Sequence, residues 1–182
     1  MHATAGQADL RIVVADDLGG VHAAEWNALG AAPYPFLRHE FLRALETEGC
    51  LGERYGWIPQ HLLAYDGTRL VGAAPLYLKS NSYGEFVFDW GWAEAYQRYG
   101  LAYYPKLVTA IPFSPVAGPR VGVAADAEPS IVFRALLDAL HQLAERQGYS
   151  SWHLLFPGQQ LQAALLDLRE EGAFLHREAV QF

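Results

Sequence analysis

An Asp66-Gly67 pair lies between two apolar runs, Ile58 to Tyr65 and Arg69 to Lys79. Asp-Gly in this setting is the strongest short-range signal of a β-hairpin, because both loop residues must tolerate a positive φ angle. The two runs therefore predict antiparallel strands joined directly at this turn. Any fold proposed for the chain has to contain this hairpin.

Further strands and helices alternate around the hairpin. We predict strands from short apolar runs, and helices from apolar residues at helical spacing that end at a glycine. In chain order these elements are a strand at 10–15, a helix capped by Asp16 and Asp17 and ending near Leu29, a helix at 36–48, the hairpin, a strand at 106–111, a helix from Pro129 to Gly148, a strand at 152–156 and a helix that stops at Gly172. Residues 174–182 are predicted to be extended and residues 1–9 a flexible tail. This order predicts a single α/β domain, a mixed central sheet with helices on both faces.

Composition narrows the functional classes. The 182 residues suit one domain, and 13 Lys and Arg against 20 Asp and Glu give a formal charge of −7, which disfavours a general DNA-binding or anionic-membrane surface. No apolar run approaches the ~18 residues of a membrane-spanning helix. The N-terminus has no basic start followed by an apolar core. We therefore expect a cytoplasmic protein that binds no DNA and spans no membrane.

Common catalytic and metal-binding motifs are missing. The single cysteine, Cys50, excludes a cysteine-based metal centre, and the histidines show neither His-x-x-x-His nor His-Glu-x-x-His spacing, so we expect no metal. The chain has no Gly-x-Ser-x-Gly elbow, no Walker loop and no Gly-x-Gly-x-x-Gly. These absences disfavour serine hydrolases and nucleotide-dependent phosphoryl or hydride transfer.

The segment from Ser80 to Tyr104 is the most informative part of the chain. It holds nine of the 24 aromatic residues, and the only two lysines, Lys79 and Lys106, flank it. Glu85 and Asp89 lie inside it, each next to an aromatic residue. Aromatic walls with a few polar groups are typical of a ligand pocket, where a carboxyl group can have a raised pKa and act as an acid or base.

The same segment has a simpler interpretation. Phe86, Phe88, Trp90 and Trp92 alternate along the chain, so they also fit a strand whose aromatic face lies in the core. Composition alone favours this core interpretation. Arg120, in the loop before the long helix, is a candidate anion contact, and an arginine that borders the core is equally compatible.

Three runs carry a resemblance to a known family. They are residues 75–90 (PLYLKSNSYGEFVFDW), 103–107 (YYPKL) and 111–120 (IPFSPVAGPR). Together they resemble the FemAB-like N-acyltransferases, bacterial members of the GNAT superfamily that are often labelled peptidoglycan biosynthesis or recognition proteins. The resemblance covers most of residues 33–182.

The resemblance implies a GNAT-like acyl-CoA N-acyltransferase fold, in agreement with the predicted order of elements. Family members carry such domains in tandem, so the chain corresponds to a first domain, with a second GNAT-like domain or a homodimer through the C-terminal strand as expected partner. The implied donor is an acyl-CoA or an aminoacyl-tRNA, bound as a substrate rather than as a permanent cofactor. The usual pyrophosphate signature for acyl-CoA, Arg/Gln-x-x-Gly-x-Gly/Ala, does not occur before any predicted helix. Its two matches, residues 69–74 and 97–102, lie in the second strand of the hairpin and in the aromatic segment.

An N-acyltransferase needs a base for the acceptor amine, donors for the oxyanion and a proton for the leaving group. The amine would belong to a small molecule or a peptide, for example a peptidoglycan precursor. We expect Glu85 or Asp89 as the base, and Tyr83 or Tyr104 as the proton donor. The expected substrate-binding residues are Lys79, Ser82, Trp90, Tyr96, Lys106 and Arg120.

Two alternatives belong to other functional classes. In the first, the chain is a non-catalytic recognition domain that uses the aromatic segment as a binding platform. In the second, it is a structural half whose partner domain carries the donor site. The lack of a pyrophosphate signature before a predicted helix favours the first of these alternatives.

Overall fold

The computed structural model describes residues 10–31, 33–169 and 175–177, and its strands form two four-stranded sheets. The first sheet, in the order β1-β3-β4-β7, is antiparallel and consists of β1 (Arg11–Ala15), β3 (His61–Asp66), β4 (Arg69–Ala74) and β7 (Gly122–Val123). The second sheet, in the order β2-β5-β6-β8, consists of β2 (Trp57–Pro59), β5 (Tyr77–Lys79), β6 (Lys106–Thr109) and β8 (Trp152–Leu154). In the second sheet β6 and β8 run parallel.

The predicted hairpin links the two sheets. Asp66 pairs with Arg69, and Gly67 between them has a φ of 59°. Each predicted strand of the hairpin is divided in two, because the chain passes from one sheet to the other near Gln60 and Leu76. The Gln60 amide donates to the Leu76 carbonyl over 2.8 Å, so the two arms stay hydrogen-bonded at this joint.

Five helices accompany the sheets within the described ranges: α1 (Ala23–Trp26), α2 (His39–Thr47), α3 (Trp90–Arg98), α4 (Pro129–Gln147) and α5 (Gln159–Arg169). Helix α1 continues into a π turn at Asn27–Ala31, and short 3-10 turns occur at Pro35–Leu37 and Glu53–Tyr55. Helix α4 begins at a proline and ends at Gly148, which adopts the left-handed conformation that a helix C-terminus favours. None of these helices is long and apolar enough to cross a membrane.

Successive residues of β3 pack against different helices. Leu62 packs in one cluster with α4, while Leu63 packs in another cluster with Trp26 of α1 and Leu42 of α2. Successive side chains of a strand point to opposite faces, so helices cover both faces of the first sheet. The predicted α/β class and the helices on both faces are confirmed.

Several predicted boundaries are wrong. The first helix is not capped by Asp16 or Asp17; it begins at Ala23, because the Asp17 carboxylate accepts from the Gly19 amide and stabilises a turn instead. Strand β7 lies in a predicted loop, and helix α3 lies in the aromatic segment, where the sequence predicts no helix. The predicted tail at 1–9, the helix stop at Gly172 and most of the extended stretch at 174–182 lie outside the described residues.

The packing of α4 on the sheets gives a stability prediction. Leu136 is buried in the cluster that α4 forms with β3 and β4, so Leu136→Ala should lower the free energy of unfolding by about 2–5 kcal/mol through the cavity it leaves. Ile131 is exposed on the same helix, and Ile131→Ala should cost less than about 1 kcal/mol. Urea unfolding of both variants measures the difference. Equal losses would contradict the packing described here.

Candidate active site

Both lysines lie on one face of the second sheet. Lys79 in β5 is directly opposite Lys106 in β6, and both side chains are 0% exposed. The neighbouring residues on the two strands, Leu78 and Leu107, point to the opposite face of the sheet and pack in the cluster that contains α4. The face that carries the lysines is covered instead by polar side chains of the covering segment, residues 80–105 between β5 and β6.

Lys106 is the centre of a buried ionic cluster. Its Nζ donates to Glu85 Oε2 over 2.8 Å, to Asp89 Oδ2 over 2.5 Å and to Ser82 Oγ over 3.2 Å. All three ammonium protons are therefore used, and two of the three acceptors are carboxylates. Glu85 and Asp89 are themselves buried, and a buried cation of this kind is tolerated only when it is paired and fully hydrogen-bonded.

The two carboxyl groups of the cluster differ in acidity. Burial raises the pKa of Glu85 above its usual range, and the attraction of Lys106 offsets this only in part. Burial also acts to raise the pKa of Asp89, but hydrogen bonds from Lys106 and Tyr103 outweigh it and hold that pKa below its usual range. Asp89 is thus a fixed anion, whereas Glu85 is a carboxylate that accepts a proton more readily.

Each carboxyl group also leaves one oxygen free. Glu85 Oε1 and Asp89 Oδ1 are buried and have no hydrogen-bond partner among the described residues. Buried polar atoms are nearly always satisfied by protein, water or ligand. These two oxygens can therefore accept from a water molecule or from a substrate N–H.

Two neighbouring tyrosines connect the cluster with the surface. Tyr103 donates its hydroxyl proton to Asp89 Oδ2 over 2.6 Å, and the Tyr104 hydroxyl lies 2.7 Å from Ser82 Oγ. Burial is the main cause that raises the pKa of both phenols, so they keep their protons at neutral pH. Both tyrosines line an open groove of about 450 Å³ along α3, with the remaining wall formed by Trp90, Ala93, Glu94, Gln97 and Leu101.

Lys79 has a different environment from Lys106. Its Nζ donates to the Tyr83 carbonyl over 3.1 Å and lies 3.9 Å from the centre of the Trp57 ring. The Trp57 indole N–H donates to the same carbonyl over 3.0 Å. Burial, reinforced by the charge of Lys106 and opposed by that of Glu85, lowers the pKa of Lys79 to about 7.

His153 lies beside the cluster on β8. Its ring contacts the Tyr103 ring edge-on at 6.0 Å, and Nε2 is 3.0 Å from Ser151 Oγ. Burial and the charge of Lys106 lower the pKa of His153 to about 4, so the imidazole is neutral. It supports Tyr103 without adding a charge to the site.

The structure brings together most of the residues that the sequence predicts for the site. Five of them are buried together, namely Lys79, Ser82, Glu85, Asp89 and Lys106, and the half-buried Tyr104 is hydrogen-bonded to this group through Ser82. Trp90 lines the groove, and Tyr96 packs edge-on against Tyr103 with ring centres 5.2 Å apart. Of Tyr83 only the backbone carbonyl takes part, since its side chain is 71% exposed.

Two interpretations of the sequence are corrected. Arg120 is buried away from the cluster and donates to the carbonyls of Val116, Pro119 and Leu155, so it ties backbone segments together and is not placed to hold an anion. The strand-core interpretation of the aromatic segment is also wrong. Its four alternating aromatic side chains are 42–68% exposed, because they lie in a loop and in the first turn of α3.

Sequence reasoning missed two contributors. The sequence prediction names Tyr104 but not Tyr103, although both belong to the run at 103–107. It also omits Trp57, which lies far from the aromatic segment in the chain. The pairing of Trp57 with Lys79 in the β2–β5 register brings the ring to the lysine. No group of three or more metal-ligating side chains occurs within the described residues.

Comparisons with known proteins agree with this architecture. A family model described as FemAB-like, peptidoglycan biosynthesis/recognition, matches residues 17–182. Among solved structures, an aminoglycoside N-acetyltransferase in complex with CoA has a TM-score of 0.57 at 13% identity, with 95% of this chain and 92% of that chain covered. A ribosomal-protein-alanine N-acetyltransferase from Brucella melitensis biovar Abortus 2308 has a TM-score of 0.55 at 16% identity, with 95% and 96% covered.

A third similar structure is an aminoglycoside acetyltransferase from an uncultured soil metagenomic sample, solved with trehalose. Its TM-score is 0.54 at 13% identity, and 95% of this chain and 93% of that chain are covered. At these identities the similarity shows the fold, which is the GNAT-like acetyltransferase fold that the sequence predicts. No curated protein matches the chain at a significant level.

The start of α4 is a poor place for the pyrophosphate of CoA. Helix N-termini bind phosphates through their free N–H groups. Here Pro129 has no N–H, and the Glu128 carboxylate accepts from the Ser130 amide over 3.5 Å and from its hydroxyl over 3.1 Å. The helix start thus carries its own anion, in agreement with the lack of a pyrophosphate signature directly before it in the sequence.

The buried cluster gives a pH-dependent stability prediction. Lys106→Met should lower the free energy of unfolding by about 3–5 kcal/mol at about pH 8, because Glu85 and Asp89 then remain buried without a cation. Their pKa values in the folded variant rise above the unfolded values, so the folded state binds more protons and the loss should shrink toward about pH 5. Urea unfolding across this range measures the effect.

The control is Arg98→Met, which removes an exposed pair with Glu94 and should cost less than about 1 kcal/mol at either pH. A loss in Lys106→Met that does not change with pH would mean that the carboxyl groups are not held by this lysine.

Proposed function

The chain belongs to the FemAB-like family, and on that basis we propose that it is an N-acyltransferase domain that transfers an acyl or aminoacyl group to an amine. The acetyltransferase fold supports this proposal. The observation that carries it is the hydrogen-bonded path from Glu85 through Lys106 and Ser82 to Tyr104, which ends at an open groove. The family description suggests an amine of a peptidoglycan precursor as acceptor.

The acceptor amine enters the groove along α3. Its walls combine the aromatic rings of Trp90, Tyr103 and Tyr104 with the carboxylate of Glu94. Aromatic faces and a carboxylate both attract an ammonium group. The formal charge of −7 on the whole chain further favours the approach of a cation over that of an anion.

Glu85 is the base in this proposal. The amine must lose a proton before it can attack the acyl carbon. Glu85 Oε1 is the free oxygen of a carboxyl group whose pKa is raised by burial, so it accepts that proton readily, through one water molecule. Asp89 remains ionised and holds Lys106 and Tyr103 in place.

Tyr104 is the proton donor. When the tetrahedral intermediate collapses, Tyr104 gives its hydroxyl proton to the leaving thiolate or alkoxide and regains one from Ser82. Lys106 resupplies Ser82. Protonated Glu85 then turns its carboxyl group so that the new O–H faces Lys106, and it resupplies Lys106 from there. Of the two protons that the ammonium loses on becoming an amide, one reaches the leaving group by this path and the other is released to solvent.

We propose that the donor, an acyl-CoA or an aminoacyl-tRNA, is held with the help of a second GNAT-like domain or a second copy of the chain, which would pair with the C-terminal stretch that the sequence predicts to be extended. This proposal follows from the Glu128 carboxylate, which repels a phosphate at the start of α4.

The same observation favours a second candidate function. In that case the chain is a recognition domain that binds the amine in its groove while its partner carries out the transfer.

Glu85→Gln tests the base. With acyl-CoA and aminoacyl-tRNA panels as donors and small amines or a stem-peptide amine as acceptors, this variant should lower kcat by about 10²–10⁴-fold with little change in KM. The matched control is Glu53→Gln at an exposed position, which should transfer at the parent rate. Acceptor binding without transfer from any donor would favour the recognition domain instead.

Tyr104→Phe tests the proton donor. It should slow transfer from an alkyl thioester by about 10²-fold, because the departing alkyl thiolate needs a proton. Transfer from an aryl thioester, whose thiolate is stable without that proton, should fall much less. The control Tyr99→Phe removes a hydroxyl from a residue that is 84% exposed and outside the groove. Equal slowing with both donors would rule Tyr104 out as the acid.

A further inference from the structure

The two lysines are chemically unusual in this chain. The other 11 of its 13 basic residues are arginines, whose charge is fixed at any physiological pH. A lysine, in contrast, can lose its proton when it is buried. The chain thus has lysine in place of arginine only at two positions, and these face each other in the interior of the protein.

The two ammonium groups have unequal partners. Lys106 donates to two carboxylates and a hydroxyl, whereas Lys79 has one carbonyl and the face of an indole ring. No carboxylate lies within ion-pair distance of Lys79 in the described part of the chain. Burying a second cation beside the first is unfavourable unless one of them gives up its proton, and the less well paired group is Lys79.

The charged groups around Lys79 come from two places. Lys106 lies opposite it on β6, and the charges of Glu85 and Asp89 in the covering segment also act on its pKa. On β2, Trp57 carries no charge, and Tyr77, two residues earlier on β5, is a phenol whose pKa is raised by burial. Glu85 and Lys79 have pKa values moved toward neutrality, Glu85 upward and Lys79 downward to about 7.

We infer that Lys79 is a positioning residue that sets the basicity of Glu85. When Lys79 is protonated, its charge stabilises the Glu85 carboxylate and makes it a weaker base. When Lys79 is neutral, only Lys106 stabilises that carboxylate, so Glu85 takes a proton from the amine more readily. Because the coupling is reciprocal, removing the charge of Glu85 must in turn make Lys79 lose its proton more easily.

This inference rests on the proposed function only for its effect on turnover; the titration itself can be measured without any substrate. Lysine labelled with ¹³C at Cε gives two signals in a chain with two lysines, and the Lys79→Met variant assigns them. One signal should titrate near pH 7 and vanish in that variant. In Glu85→Gln the same signal should titrate at a lower pH. A Lys79 signal that does not move below about pH 9 would overturn the inference.

Turnover measurements are the second test of the inference. Lys79→Arg places a permanent cation beside Glu85 and should lower kcat about tenfold or more, as a one-unit change in the pKa of the base would. The rate of the parent chain should rise between about pH 6 and 8, as Lys79 loses its proton. Lys79→Met should retain more turnover than Lys79→Arg and lack this rise. If both variants lose turnover equally, Lys79 has only a structural role. If the parent chain transfers no acyl group, the proposed function fails and the titration alone decides on Lys79.

Discussion

The buried ammonium group of Lys106 is the interaction on which the site depends. Its three hydrogen bonds hold Ser82, Glu85 and Asp89, and through them the segment that covers one face of the second sheet. Without this cation two carboxylates would lie unpaired in the interior, which is far more costly than never having buried them. The covering segment, the two tyrosines and the groove along α3 therefore owe their positions to one side chain.

The sheet explains why this cation can exist there. Leu107 and Leu78 pack toward α4 and form an ordinary apolar core, while their neighbours Lys106 and Lys79 point to the opposite face. A strand can serve both surfaces because its side chains alternate. Apolar packing on one face stabilises the fold, and this leaves the other face available for groups that contribute chemistry at some cost in stability.

The sequence predicts the hairpin at Asp66-Gly67, the long helix from Pro129 and the helices on both faces, because turn chemistry, helix ends and apolar periodicity are local signals. It also predicts most of the buried group, because composition and the family resemblance single out one segment. The sequence does not predict helix α3, because the alternating aromatic residues at 86–92 are also compatible with a strand. Whether such a segment pairs with another strand is not visible in the sequence. The role of Trp57 is not predicted for a related reason, since the strand register that brings it to Lys79 is a long-range property.

A buried ion pair is weak evidence for stability, because apolar side chains of similar volume often stabilise a fold equally well or better. The cluster includes, beyond the ion pairs, two free carboxylate oxygens and a hydroxyl path to the surface, and none of these improves packing. Acyl transfer to an amine needs a proton to leave one substrate and to reach the leaving group of another. Glu85 and Tyr104 lie at the two ends of one continuous hydrogen-bonded path, so a single buried cation can couple the two proton transfers while the interior remains closed to bulk water.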